Sequence, residues 1–179
     1  MYYNFLKALK LAGSIICGWI LFVSSYAQTK EEQRVIDSLQ SIIGPAKGKE
    51  LMSITVQLGR SYLYLDNLKS YQHSSEGYEL AANYGDSSKM VRAGTVAGIA
   101  LGELERAKES IAILEQVLPI AKRSYHRPEY KDEYKKILNG LAVAHSYLAE
   151  YDKALEYHFE SLVVRESEGD QAATSIALN

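Results

Sequence analysis

Few residues of this chain could support chemistry, and their spacing forms no catalytic pattern. The 179 residues include four histidines and one cysteine. His145 and His158 fall on two predicted helices, on the same faces as the apolar residues. A histidine in that position is more often a packed, hydrogen-bonded core residue than a ligand, so we predict that role for both. His73 and His126 stand alone in polar surroundings.

One glycine-containing segment, residues 44–50, is superficially similar to a phosphate-binding loop. Its glycines and Lys49 are one residue too close together, and no Ser or Thr follows the lysine. Metalloprotease, nucleophile-elbow and dinucleotide-binding patterns do not occur either. The sequence therefore predicts no catalytic, metal-binding or cofactor-binding residues, and we expect no enzymatic activity.

The first 27 residues have the composition of a secretory signal peptide. Lys7 and Lys10 precede an apolar run, and small residues at Ser25 and Ala27 follow it. We predict cleavage before Gln28 and export of the mature chain to the periplasm or another extracytoplasmic space. The apolar run is about 13 residues, shorter than the roughly 20 that a membrane-spanning helix needs. An uncleaved membrane anchor is the alternative.

The composition of the mature chain limits its partners. The only cysteine, Cys17, lies within the predicted leader, so disulfides and thiolate metal sites are not expected. Removal of the leader leaves about 18 basic against 22 acidic residues, a net charge near −4. Because no basic stripe or cluster is present, nucleic acid is not an expected partner.

Residues 28–49 are predicted to form one helix and a linker. Apolar residues recur at helical spacing from Val35 to Ile43, and Gly44-Pro45 ends the pattern. Thr29 is a candidate N-cap. We predict that this helix caps the end of a helical array, while a partner-binding helix is the alternative.

Residues 141–162 carry the most informative pattern of the chain. They predict two amphipathic helices joined by a turn at Ala149-Glu150-Tyr151-Asp152, with small Ala154 where the helices cross. This pattern resembles the tetratricopeptide repeat (TPR), a helical hairpin of roughly 34 residues. Two weaker units precede it. In the second, Gly102 and Ala107 are matched with Ala149 and Ala154, and in the first the pattern begins at Leu58-Gly59.

The spacing between these units is about 36 and then about 47 residues. Within the second unit, Gly94 and Gly98 share one helix face, which predicts close contact with neighbouring helices. Pro119 falls inside a long second helix, and Pro128 is a predicted helix start.

The resemblance implies an all-α fold, a TPR-like α-solenoid of antiparallel helix pairs. It would contain about three repeats over residues 50–179, the N-terminal capping helix and the start of a fourth repeat. It further implies that the first helix of each unit lines a concave face that holds a peptide or a protein segment. The cationic, amide and aromatic groups predicted on that face suit an extended peptide with some acidic character. The candidate groove residues are Arg60, Tyr64, Lys89, Arg92, Val96, Lys136, Asn139, Val143 and Tyr147.

Residues 170–179 have the pattern of another helix opening, without a cap or a polar closing face. We therefore expect the chain to be a fragment of a longer protein. Exported arrays of this kind resemble the extracytoplasmic sensory regions of bacterial membrane-bound histidine kinases and transcription regulators. Two functions stay open: an exported protein-interaction scaffold, and the sensory region of a signalling protein whose transmembrane and output parts are missing.

Overall fold

The computed structural model describes residues 30–167, and all regular secondary structure in this part of the chain is helical, without strands. Its helices are α1 (residues 30–43), α2 (Gly48–Tyr62), α3 (Asn67–Asn83), α4 (Ser87–Glu103), α5 (Ala107–Arg123), α6 (Pro128–Tyr147) and α7 (Tyr151–Ser167). The connections between α2 and α7 are three or four residues long, so consecutive helices are antiparallel. The predicted all-α class is confirmed.

The chain divides into two compact units, Met1–Ser41 and Ile42–Asn179. In the first unit, α1 buries Ile36 and Leu39. The helix ends at residue 43, as the following Gly44-Pro45 predicts. Its capping role stays a prediction. The predicted signal peptide, residues 1–27, and the predicted helix opening at 170–179 lie outside the described residues.

Within the second unit, each helix from α2 to α7 packs against the next one along the chain. The helices α2, α4 and α6 also contact one another in that order. Over the described residues, no Cα atoms of α3, α5 and α7 approach one another within 8 Å. The unit therefore has two layers: a closely packed layer of α2, α4 and α6, called the inner layer below, and an outer layer of α3, α5 and α7.

Glycines allow the paired helices to approach closely where they cross. A Cβ atom on Gly98 would lie 2.5 Å from two atoms of Leu114, and one on Gly94 would lie 2.6 Å from Val117. In the same way, a Cβ atom on Gly59 would lie 2.9 Å from the backbone nitrogen of Ser74. The prediction that Gly94 and Gly98 lie in close helix contacts is thus confirmed.

A repeated hydrogen bond accompanies these crossings. The Ser70 hydroxyl donates to the Gly59 carbonyl over 2.8 Å, and the Ser110 hydroxyl donates to the Gly98 carbonyl over 2.7 Å. The α2–α3 and α4–α5 hairpins therefore share one local structure. On the first helix of each hairpin Gly59 corresponds to Gly98, 39 residues later, and on the second helix Ser70 corresponds to Ser110, 40 residues later.

Turn geometry fixes the register of the third hairpin, α6–α7. Glu105 and Ala149 both adopt the left-handed conformation, with φ of 60° and 58°. In each turn the backbone N–H of the next residue donates a hydrogen bond to a carbonyl in the last turn of the helix. Arg106 N donates to Leu101 O, and Glu150 N donates to His145 O. Glu105 therefore corresponds to Ala149, 44 residues later.

This register corrects the sequence-based alignment of the second unit. Gly102 lies inside α4 rather than in the turn, and Ala154 corresponds to Ser110, not to Ala107. The spacings become 39 and 44 residues instead of about 36 and about 47. Ala154 is nevertheless buried, 3% exposed, as predicted for a residue at a helix crossing.

The core of the second unit lies between α4, α5 and α6. Leu114, Val117, Ile137, Leu138 and Leu141 are all fully buried there. Each such side chain stabilises the fold by about 1.5–3 kcal/mol relative to an exposed position. Among the described helices, none combines the length and the apolar character that crossing a membrane requires.

Candidate functional site

Most candidate groove residues lie on the exposed face of the inner layer. Arg92 on α4 and Lys136 on α6 are separated by the 44-residue spacing, so they occupy corresponding positions of consecutive hairpins. Further along α6, Val143 and Tyr147 are 39% and 65% exposed. Cations thus stand at one end of the α6 face and apolar groups at the other. Arg60 is exposed on α2, at the position that corresponds to Ile99 and Val143.

Arg92 and Lys136 share one buried carboxylate, that of Glu133. The Lys136 ammonium lies 3.3 Å from Glu133 Oε1, and Arg92 Nε lies 3.8 Å from the same atom. Glu133 is only 4% exposed, whereas the two cationic side chains are 44% and 39% exposed. Because two exposed cations face a single buried anion, this part of the inner layer keeps a net positive charge.

The cluster also contains polar atoms without a hydrogen-bond partner. Glu133 Oε2 and Arg92 Nε are buried, and neither forms a hydrogen bond in the described part of the chain. Glu133 is not among the residues that the sequence pattern predicts for the groove. Its i,i+3 spacing to Lys136 was visible, but that spacing alone predicts a solvent-exposed pair. Its burial depends on the packing of α6 against α4.

Lys89 is held at the start of α4. The Asp86 side chain accepts a hydrogen bond of 3.0 Å from the Lys89 amide and forms an ion pair of 3.0 Å with the Lys89 ammonium. These contacts, above all the backbone hydrogen bond, lower the pKa of Asp86. Lys89 thus adds a fixed positive charge that Asp86 partly neutralises.

Two open clefts adjoin the candidate residues. A cleft of about 240 Å³ is lined by Lys136 and Asn139 together with Asp132, Lys135 and Arg165. Tyr147 borders a wider depression of about 620 Å³ beside the α4–α5 turn, where Arg106 and Glu109 form an ion pair. The first cleft combines cationic and amide groups, which are suited to carboxylates and main-chain carbonyls of a bound peptide.

Two candidates differ from the sequence-based placement. Val96 is only 6% exposed, because neighbouring helices pack against α4 on several sides, so it contributes little accessible surface. Tyr64 follows the end of α2 and lies in the turn, with φ of 70°. Its side chain is exposed, and partial burial of the hydroxyl group together with the nearby Glu103 carboxylate raises its pKa.

The two histidines of the third hairpin have different environments. His145 is buried, stacks on the Tyr157 ring at 5.5 Å and contacts Glu150 through Nδ1 at 2.7 Å. The predicted packed, hydrogen-bonded role is confirmed for His145. His158 is exposed, so the same prediction is wrong for it. His158 corresponds to Leu114, which α6 of the following hairpin covers, whereas among the described helices only α6 contacts α7 and leaves His158 exposed.

A second polar network, which sequence analysis did not identify, joins the outer layer to α6. Glu160 accepts hydrogen bonds of 2.6 Å from the Lys122 ammonium and from the Tyr134 hydroxyl. Burial alone would raise the pKa of Glu160, but these two hydrogen bonds together lower it. Burial and the Glu160 contact raise the pKa of Tyr134. The network joins α5, α6 and α7 and is structural in character.

Residues 30–167 contain no group of three or more His, Cys, Asp or Glu side chains that could hold a metal ion. Comparison with known proteins yields no matching family model and no curated protein with significant similarity.

Proposed function

We propose that this chain is an exported, TPR-like helical-repeat scaffold that binds an extended, acidic segment of a protein partner on the inner-layer face. The main support for the proposal is the position of Arg92 and Lys136. They occupy corresponding positions on consecutive inner helices, and one buried carboxylate orients both of them.

The architecture supports the TPR-like part of the proposal. Three hairpins repeat the same helix order, and the first two share a Gly–Ser hydrogen bond at the crossing. A stacked array of this kind presents the same helix positions side by side, which creates an extended surface for a chain lying across the helices. The spacings of 39 and 44 residues exceed the roughly 34 residues typical of the family.

The charges of the face support an acidic ligand. Carboxylates of the ligand would approach Arg92, Lys136 and Lys89, and the Asn139 amide could bind main-chain groups. Val143 and Tyr147 offer exposed apolar area on the same helix for a neighbouring apolar side chain. An extended peptide fits because successive contacts lie on separate helices.

Fluorescence anisotropy with two labelled 12-residue peptides tests this proposal. One peptide alternates Glu and Ala, and the other alternates Lys and Ala. The full chain should bind the acidic peptide, and Lys136→Ala should weaken binding about fivefold, the effect of roughly 1 kcal/mol. Arg123→Ala, which removes an exposed cation of α5 that lines neither cleft, should leave the affinity unchanged. Equal affinity for both peptides, or equal effects of the two variants, would refute the proposed face.

A further inference from the structure

The exposed side of α7 carries an apolar stripe that the hairpin packing does not explain. Leu155, Phe159 and Val163 follow one another at i+4 spacing and are 53%, 63% and 63% exposed. They form a ridge about 12 Å long on the helix surface. We call these three residues the α7 stripe.

A following hairpin of the same geometry would not cover most of this stripe. Phe159 corresponds to Ser75 on α3 and Glu115 on α5, and Val163 corresponds to Glu79 and Pro119. Both α3 and α5 do have a following hairpin, yet Glu115, Glu79 and Pro119 remain exposed. Leu155 differs, because its counterparts Tyr71 and Ile111 are half-buried. Phe159 and Val163 therefore place apolar groups on an outward surface that the other two hairpins keep mostly polar.

The charged residues that flank the stripe are acidic. At about 100° per residue, Asp152, Glu156 and Glu166 project within roughly 60° of the Phe159 direction, and all three are exposed. The two basic residues of α7 project about 120° away on either side. Lys153 is paired with Glu150, and Arg165 contacts Ser161. The stripe is thus an apolar ridge with acidic flanks.

We propose that the α7 stripe docks a basic amphipathic helix of a protein partner. Apolar residues of that helix at i and i+4 would pack against Leu155, Phe159 and Val163, since i±4 ridges are a common mode of helix packing. Lysine or arginine residues beside its apolar face would meet Asp152, Glu156 and Glu166. A second copy of this chain, or an anionic membrane, would bring like charges together at the same surface.

This docking surface is separate from the inner-layer face, so either proposal can fail alone. The probe is a synthetic 18-residue helical peptide with leucines at i, i+3 and i+4 spacing and lysines on both flanks. Its control has glutamate at every lysine position. The full chain should bind the lysine peptide at least tenfold more tightly than the glutamate peptide, and added salt should weaken this binding.

Four variants locate the site. Phe159→Ser should weaken binding of the lysine peptide at least tenfold, and Glu156→Gln about threefold. The matched controls are Leu68→Ser, an exposed apolar residue of α3, and Glu115→Gln on α5. Both controls should bind like the parent. Circular dichroism melts should show that all four variants fold, because each changed side chain is exposed or lies at the surface.

Three results would overturn the proposal. The first is equal affinity for the two peptides, or no binding of either. The second is concentration-dependent dimerisation in sedimentation equilibrium that Phe159→Ser abolishes, which would assign the stripe to a second copy of the chain. The third is binding of phosphatidylcholine vesicles that depends on Phe159, without binding of the lysine peptide, which would assign it to a lipid surface.

Discussion

Gly98 and Gly102 lie one turn apart on α4, and the structure predicts opposite effects of the same substitution at the two positions. An alanine in place of either glycine gains about 1 kcal/mol of helix propensity. At Gly98 the added Cβ atom would lie 2.5 Å from Cγ and Cδ2 of Leu114. At Gly102 the nearest atom outside the helix is the Ser110 hydroxyl oxygen at 3.7 Å, an ordinary contact.

The difference depends on whether the neighbour can move. Leu114 is fully buried, and its Cδ1 atom already lies 2.9 Å from the position of a Cβ atom on Gly140 of α6. Leu114 therefore cannot move away without disturbing the α5–α6 contact. Such overpacking costs about 1–3 kcal/mol. Gly98→Ala should accordingly lower the free energy of unfolding by about 0–2 kcal/mol, and Gly102→Ala should raise it by about 0.5–1 kcal/mol.

Urea unfolding followed by circular dichroism measures the free energy of unfolding of both variants relative to the parent. The free energies of unfolding of the two variants should differ by about 1–3 kcal/mol, which corresponds to several degrees in Tm. If Gly98→Ala were as stable as Gly102→Ala, the close crossing of α4 and α5 at Gly98 would be refuted. If Gly102→Ala were strongly destabilising, Gly102 would lie in the turn, as the original sequence alignment predicted, and the corrected register would be wrong.

Three further predictions concern packing, pH and export. Ala154→Leu should overpack the α6–α7 crossing and lower the free energy of unfolding by about 1–3 kcal/mol, which thermal melts will reveal; parent-like melting would contradict the crossing. Asp86→Ala should lower the free energy of unfolding by about 1 kcal/mol at pH 7. Since the pKa of Asp86 is lowered in the folded state, this difference from the parent should shrink as pH falls below about 4; a pH-independent difference would contradict the capping role. Amino-terminal sequencing of the protein from its native host should find Gln28 first, and an intact Met1 would contradict cleavage of the leader.

The sequence was sufficient to locate the helices of the second unit. Pro128 starts α6 because its fixed φ suits the first helical position, and Gly94 and Gly98 lie at close helix contacts because they lack a Cβ atom. The helix also continues past Pro119, as predicted, although it ends at Arg123 rather than at Tyr125.

The register of the second hairpin could not be derived in the same way. A shift of three residues rotates a helix face by only about 60°, so apolar periodicity fits two alignments nearly equally well. The left-handed residue in the turn decides between them, and at Glu105 it is not a glycine. Nothing in the local sequence indicates that conformation.

Burial at the candidate site depends on contacts between hairpins. Val96 and Glu133 lie on inner helices with polar and apolar neighbours alike, and only the packing of neighbouring helices buries them. The cationic residues Arg92 and Lys136 could be identified from helical periodicity. The carboxylate that they share could not be identified in this way, because Glu133 is buried at an interface between two hairpins.

The most direct test of peptide binding on the inner-layer face is an NMR titration of the full chain with the acidic peptide. Binding on this face should change the amide chemical shifts around Arg92, Lys136 and Asn139, while those around Lys122 and Arg123 on the outer layer stay constant. Changes concentrated on α5 and α7, or no changes at peptide concentrations up to the millimolar range, would contradict the proposed binding face.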